Sequence, residues 1–350
     1  MGRGLQQHYQ NLQMEGCAIK YRFMKLDQVL GLTPSKENEP IATGFRELDR
    51  KTGGLRIGHV CTIGARPGMG RTAFVISLLR NIGVINKVPS AFLSLEHDEI
   101  DVFNRLKASL LGRSDNVPDE SSVNFLTPEV ITTMEQIGFV KCEPPKRKNP
   151  QEVLQMMKEA PVWIEHDANT SFDEIINCME RLRQENHVRI VFIDSLQWID
   201  LAGSSVKHSE VLLKLHGVAQ RLQIAIVLTT NVNNYGELRN NFYRPDLSDV
   251  NYDEWKNTGL YSSMVMLVYR PEYYGLDNFE DYTPAKNKAD IMVEKNKFGG
   301  VGYVRMHFDN HVSFRELNDA NDYDYFKEVD DDYKNTKKTS FESQRDNSPF

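Results

Sequence analysis

Cysteine is scarce. Cys17, Cys61, Cys142 and Cys178 are scattered through 350 residues, with no CxxC pair and no histidine partners at zinc spacing. That pattern excludes a disulfide framework and a metal knuckle, and it predicts the reduced thiols of a cytoplasmic protein. An apolar signal core is also missing, and no apolar run approaches the roughly eighteen residues of a membrane helix, so no membrane association is expected. Surplus positive charge is absent: 42 Lys and Arg against 49 Asp and Glu leave a net charge of -7. Nothing in that balance attracts nucleic acid globally, and any such contact must come from local basic loops. Internal repeats are not found either. What the chain has is 40% hydrophobic and 26% charged residues, enough for one large domain with appendages.

Three zones follow along the chain. Residues 1–40 are polar, with one short periodic stretch, "YRFMKLDQVLGL", that predicts an amphipathic helix before the "TPSKENEP" linker. Residues 41–317 alternate strand-like and helix-like runs. Residues 318–350 are acidic and polar and read as a disordered tail.

The middle zone predicts an α/β fold, a mainly parallel sheet with helices on both faces. "HVCTIG" reads as a buried strand followed by the helix "RTAFVISLLRNIG". "SAFLSLE" is a second strand, before a helix whose apolar stripe is expected at Ile100, Phe103, Leu106 and Leu110. "APVWIEHD" is a short strand, and the helix after it opens with Ser171 and Glu174 at capping-box spacing. "RIVFID", the helix "SEVLLKLHGVAQRLQ" and "IAIVLTT" continue the alternation. The runs "SSMVMLVYR", "ADIMVEKNK" and "GYVRMHF" lack helical crossovers and are expected as an antiparallel edge extension, with "KFGG" as a hairpin turn.

Between the first strand and its helix lies "GARPGMGRTAF", close to the phosphate-loop pattern GxxxxGK[ST] but with Ala65 for the first Gly and Arg71 for the Lys. Backbone N–H groups of Gly68 to Thr72, at the positive end of a helix, would wrap anionic phosphates. Thr72 can ligate Mg2+ through its hydroxyl. The same string is also what a tight strand-to-helix turn looks like. Asp194 tips "RIVFID", where a carboxylate can hold a Mg2+ water shell or simply serve as a turn residue. Glu96 ends "SAFLSLE" and could orient an attacking water, or cap the helix that follows.

Further strings agree in order and spacing. "TGFRELD", "ARPGMG", "SLE", "DSLQ" and "YRPEYY" together resemble the RecA-like motor domain of DnaB-type replicative helicases, over residues 41–317. The related RadA and KaiC ATPases share the "TGFRELDRKTGGL" opening but not "ARPGMG" or "RPEYYG", and rank second. The resemblance implies a RecA-like phosphate-loop core that binds ATP with Mg2+. Its loop set would be Ala65, Arg66, Pro67, Gly68, Met69, Gly70, Arg71, Thr72 and Ala73. It assigns the metal to Thr72 and Asp194 and the attacking water to Glu96. It further implies single-stranded DNA as a partner, a homo-oligomeric ring hexamer, and contacts with replication proteins. The first forty residues are too few for the family's N-terminal collar domain, so only its linker helix is expected.

Departures from the family fall on the charge-handling positions. Ala65 is the family's own form, but Arg71 replaces a compact ammonium with a planar fork. Thr230 stands where a phosphate-sensing Gln is expected. Lys295 and Lys297 replace a Lys-x-Arg pair that reaches into the neighbouring subunit's nucleotide, where the Arg serves as a finger. After "LSD" the family's DNA-binding string gives way to "VNYDEWKNTG", leaving Arg239, Arg244 and Lys256 as phosphate contacts and Tyr252 and Trp255 as stacking candidates. Two functions therefore stand against each other: an ATP-dependent helicase motor with slowed hydrolysis, and a non-hydrolysing nucleotide-binding module for assembly or regulation.

Overall fold

Residues 39–111, 149–166, 170–201, 206–233, 242–250, 257–309 and 312–317 are described in the structure, a computed structural model. The proposed linker helix, the acidic tail, Arg239, Tyr252, Trp255 and Lys256 lie outside these residues.

Apolar runs bounded by turn residues form the strands β1 (Val60–Ala65), β2 (Ser90–Ser94), β3 (Val162–His166), β4 (Ile190–Asp194) and β5 (Ala225–Asn231). They are joined in the sheet by β6 (Met264–Tyr269), β7 (Lys288–Asn296), β8 (Gly302–Asp309) and β9 (Ser313–Glu316). The strand order is β3-β2-β4-β5-β1-β6-β7-β8-β9. The helices are α1 (Arg46–Thr52), α2 (Arg71–Leu79, continued by a π-helical turn Arg80–Ile85), α3 (Glu99–Leu111) and α4 (Pro150–Lys158), then α5 (Phe172–Asn186), α6 (His208–Leu222) and α7 (Thr258–Tyr261).

Because strand side chains alternate between faces, β1 to β5 sort their residues into two cores, and Val265, Leu267 and Tyr269 of β6 join a third cluster with Phe279 and Met292. Cys61, Ile63, Phe92, Ile190, Phe192, Ala225 and Val227 pack with α2, α3 and α4. Their chain neighbours Val60, Ala91, Leu93, Val191, Ile193, Ile226 and Leu228 pack with α5 and α6. Helix α5 starts as its sequence predicts, with Ser171 and Glu174 closing a reciprocal capping box.

Two expectations are corrected. Strand β6 is parallel to β1, so it belongs to the parallel core, and the antiparallel extension begins only at β7 and includes the unforeseen β9. The segment between β5 and β6 returns the chain to the starting edge of the sheet, with short α7 just before β6 and no long helix among its described residues, and a parallel crossover requires only that return. "KFGG" does lie in the β7–β8 turn, at residues 297–300. On α3, Ile100 and Phe103 are 69% and 38% exposed, while Val102, Leu106 and Leu110 are buried. The helix docks through an i, i+4, i+8 stripe that starts two residues later than the apolar count suggested.

Candidate active site

Four strands end side by side at the carboxyl edge of the parallel sheet, and their alternation decides which side chains meet. On β4 the positions facing α2 are Ile190, Phe192 and hence Asp194; on β5 they are Ala225, Val227, Thr229 and Asn231. Beyond β2, Glu96 has the same parity as Phe92. Asp194, fully buried, accepts from Thr72 Oγ1 at 3.0 Å and from Thr229 Oγ1 at 2.5 Å. Arg71 Nη2 donates to Glu96 Oε2 at 2.9 Å and lies 3.6 Å from Asp194 Oδ1, while its Nη1 donates to Asn231 Oδ1. Arg71, Thr72, Glu96 and Asn231 line a cleft of about 390 Å3 with Arg66, Gly68, Gly70, Arg105, Trp198 and Phe308, while Asp194 and Thr229 are buried behind Thr72 and Arg71.

The glycine loop supplies the floor of that cleft. Gly68 and Gly70 have φ of +80° and +92°, backbone that side-chain-bearing residues rarely adopt. A Cβ on Gly68 would meet the Tyr273 ring at 2.8 Å, and one on Gly70 the Phe308 ring at 2.9 Å. Gly70 is also the N-cap of α2, so unpaired N–H groups of the first turn face the cleft. Ala65 is buried at the end of β1, and Met69 is buried in the core beneath the loop, so neither side chain reaches the cleft.

The second long string, "YRPEYYG", braces this loop from behind. Arg270 is buried, stacks 4.3 Å from the Phe308 ring centroid and donates from Nη1 to the Gly68 carbonyl at 3.1 Å. Burial lowers its pKa, with Glu272 acting in the opposite direction. Arg66 donates to the Tyr274 hydroxyl and lies over the same ring. Two motifs about 200 residues apart in the chain therefore make one object.

Other predicted residues fall elsewhere. Thr230 has the parity of Ile226 and Leu228 and faces away from the phosphate-loop side, accepting from Gln197 Nε2 at 2.7 Å. The structure thus separates Thr230 from the cleft and puts Asn231 there instead. Lys295 and Lys297 lie at the opposite edge of the sheet, because β7 runs antiparallel to β6 and Asn296 pairs with Met264 at the start of that strand. Lys295 Nζ donates to the carbonyls of Gly259 and Leu260 at 2.7 and 2.9 Å, whereas Lys297 is exposed. Arg244 lies over the rings of Tyr269 and Tyr303 and pairs with Glu280 at 3.7 Å. Near Lys297, the His59 ring stacks against His216 and Phe298 at 5.3 and 4.7 Å. Burial lowers both histidine pKa values, and the positive charge of Lys297 adds to the effect.

Asn231, Thr229, Gln197, Arg105, Trp198 and Phe308 were not among the sequence candidates. For Thr229 and Asn231 a usable signal existed: alternation along "LTTN" puts them on one face and Thr230 on the other. Arg105, Trp198 and Phe308 are brought to the cleft by tertiary packing, and Gln197 meets Thr230 away from it.

Comparison with known proteins bears on this site. The family model described as "DnaB-like helicase C terminal domain" matches residues 40–316. The replicative DNA helicase DnaB of Haemophilus influenzae is 27% identical over 289 residues, covering 81% of this chain and 56% of that protein. A probable plasmid replicative DNA helicase of Chlamydia trachomatis is 26% identical over 277 residues, covering 77% and 53%. The chain thus spans a little over half the length of these curated relatives. A solved ATPase domain superposes with a TM-score of 0.64 at 20% identity, covering 90% of this chain and 98% of that one. A DnaB-like replicative helicase, solved in a study of its interactions with primase, gives the same TM-score at 22% identity, covering 80% and 62%.

Proposed function

The chain belongs to the DnaB-like helicase C-terminal domain family, and from that premise we propose that it is an ATP-dependent motor domain acting on single-stranded DNA in replication. The observation that carries the reading is the meeting of Arg71, Thr72 and Glu96 in one cleft floored by a glycine loop, with buried Asp194 in contact with Thr72 and Arg71. The fold itself is RecA-like, a parallel core with the ligand edge at the strand carboxyl ends.

Backbone N–H groups from Gly68 to Thr72 bind the phosphates, and Arg71 adds positive charge. The donors suit Mg2+: a hydroxyl and a carboxylate oxygen lie 3.0 Å apart, Thr72 Oγ1 and Asp194 Oδ2. Among the described residues no group of three or more His, Cys, Asp or Glu forms an all-protein cage, consistent with a cation held partly by phosphate oxygens. Thr72 and Asp194 would hold that ion, whose charge would offset the phosphates. Glu96, exposed at the mouth of the cleft, accepts a proton from the attacking water. Lys297 cannot reach its own chain's cleft from the opposite sheet edge, so it serves a neighbour's nucleotide in a homo-oligomeric ring. DNA contact is assigned to the segment after β5 that contains Arg239, Arg244 and Lys256; Arg244 must leave its tyrosines to take part. Replication proteins are the expected further partners and the cytoplasm the expected location; no helix among the described residues is long and apolar enough to cross a membrane.

ATP hydrolysis measured with and without single-stranded DNA tests the reading. Glu96→Gln should lower kcat by on the order of a hundredfold or more, and DNA should stimulate the wild type. Equal rates for wild type and Glu96→Gln would favour the non-hydrolysing alternative.

A further inference from the structure

The Arg71 guanidinium occupies the centre of the cleft, and it is held there by neighbours on two other elements. Its side chain is only 11% exposed. Nη2 serves Glu96 and faces Asp194, Nη1 serves Asn231, and Nε has no hydrogen-bond partner. Lysine, with a single point charge on a flexible stem, cannot bridge two acceptors with one planar fork in this way. The arrangement fits arginine, and Asn231 is the neutral half of it.

We infer that Asn231 is a positioning residue: together with Glu96 it parks the Arg71 fork across Asp194, and a nucleoside triphosphate entering the cleft must draw the fork away. Phosphate binding and the release of Glu96 are then one event. Phosphate oxygens compete for the guanidinium with a carboxylate and an amide oxygen, both charge-assisted acceptors. Apparent affinity is reduced by the fraction of chains in which the fork is parked. The water-activating carboxylate stays ion-paired, and so protected from unproductive proton transfer, until a phosphate has claimed Arg71. This inference rests on the nucleotide-binding reading above.

The test is a fluorescence titration of the full chain with a fluorescent non-hydrolysable ATP analogue in excess Mg2+. Asn231→Ala and Asn231→Leu, the latter keeping the branch at Cγ without an acceptor, should each tighten binding about fivefold or more. A gain of affinity is not what a merely structural lesion produces. In an Arg71→Ala background the same substitutions should change nothing, because the parked group is gone. Glu96→Gln should also tighten binding, but loss of a negative charge near phosphate contributes there, so neutral Asn231 decides. Unchanged or weaker binding in both Asn231 variants overturns the inference while leaving nucleotide binding intact, as does equal tightening with and without Arg71. Failure of the wild type and of Arg71→Lys to bind the analogue removes the nucleotide-binding reading and this inference together.

Discussion

Arg71 shows how one side chain can change the working of a loop without changing its shape. The positive-φ glycines, the α2 N-cap and the Thr72–Asp194 contact are all in place, so the substitution alters what sits inside the cleft and not the cleft itself. Arg71→Lys should therefore raise ATP turnover, with a lower KM, in a steady-state assay; a fall in kcat would show that the surrounding residues have adapted to the fork. A second residue-scale expectation concerns His59 and His216. Both have folded-state pKa values below the ordinary 6.5, through burial and then through neighbouring positive charge. The unfolded chain therefore takes up more protons as pH falls through about 6.5, and stability is lost in that window and not above it. The thermal midpoint should drop between about pH 7.5 and about pH 5.5, and His59→Asn should flatten the drop.

At the scale of elements, β1 and the loop after it depend on close approach. Gly64 faces Leu267, Val232 and Val250, and an added Cβ would meet them at 2.8, 2.9 and 3.0 Å. Gly64→Ala should destabilise the domain by roughly 1–3 kcal/mol, read as a lower denaturation midpoint with the slope unchanged. The α5 capping box makes a smaller prediction. Ser171→Ala leaves the Glu174 N–H without its partner and should cost about 1 kcal/mol, with no effect on nucleotide affinity because α5 lies on the opposite face from the cleft. Element types were legible because their hydrophobic periods are strong. The α3 stripe was misjudged because Ile100 and Phe103 satisfy the period as well as Val102 does, and only the position of α2 and α4 chooses between them. The direction of β6 was misjudged because direction is set by where the chain re-enters the sheet, which no local pattern records.

For the whole molecule, the sheet carries two chemically distinct edges. The side chains around the glycine-loop cleft gather at the carboxyl ends of β1, β2, β4 and β5, while Lys297 and the histidines lie at the other edge. On the proposed reading, Lys297 acts at the cleft of another copy. ATPase activity per chain should rise with protein concentration, and Lys297→Ala should reduce it about tenfold or more in the assembled state alone. Mixing Lys297→Ala with Glu96→Gln should restore part of the activity, since each chain then supplies the half the other lacks; no restoration would place Lys297 outside the reaction.

The alternation of strands and helices, the glycine loop, and the carboxylates at strand ends are written in local spacing and residue type, and so were legible before any fold was known. Even the face on which Thr229 and Asn231 lie could be read from alternation along one strand. What only the tertiary structure decided is which distant residues share a site: Arg270 and Tyr274 bracing the loop around Gly68, Phe308 and Arg105 lining its cleft, and Asn231 meeting Arg71. Those contacts depend on strand order, and strand order is set by how the two cores bury their apolar faces together, a property of the whole chain that no short stretch contains.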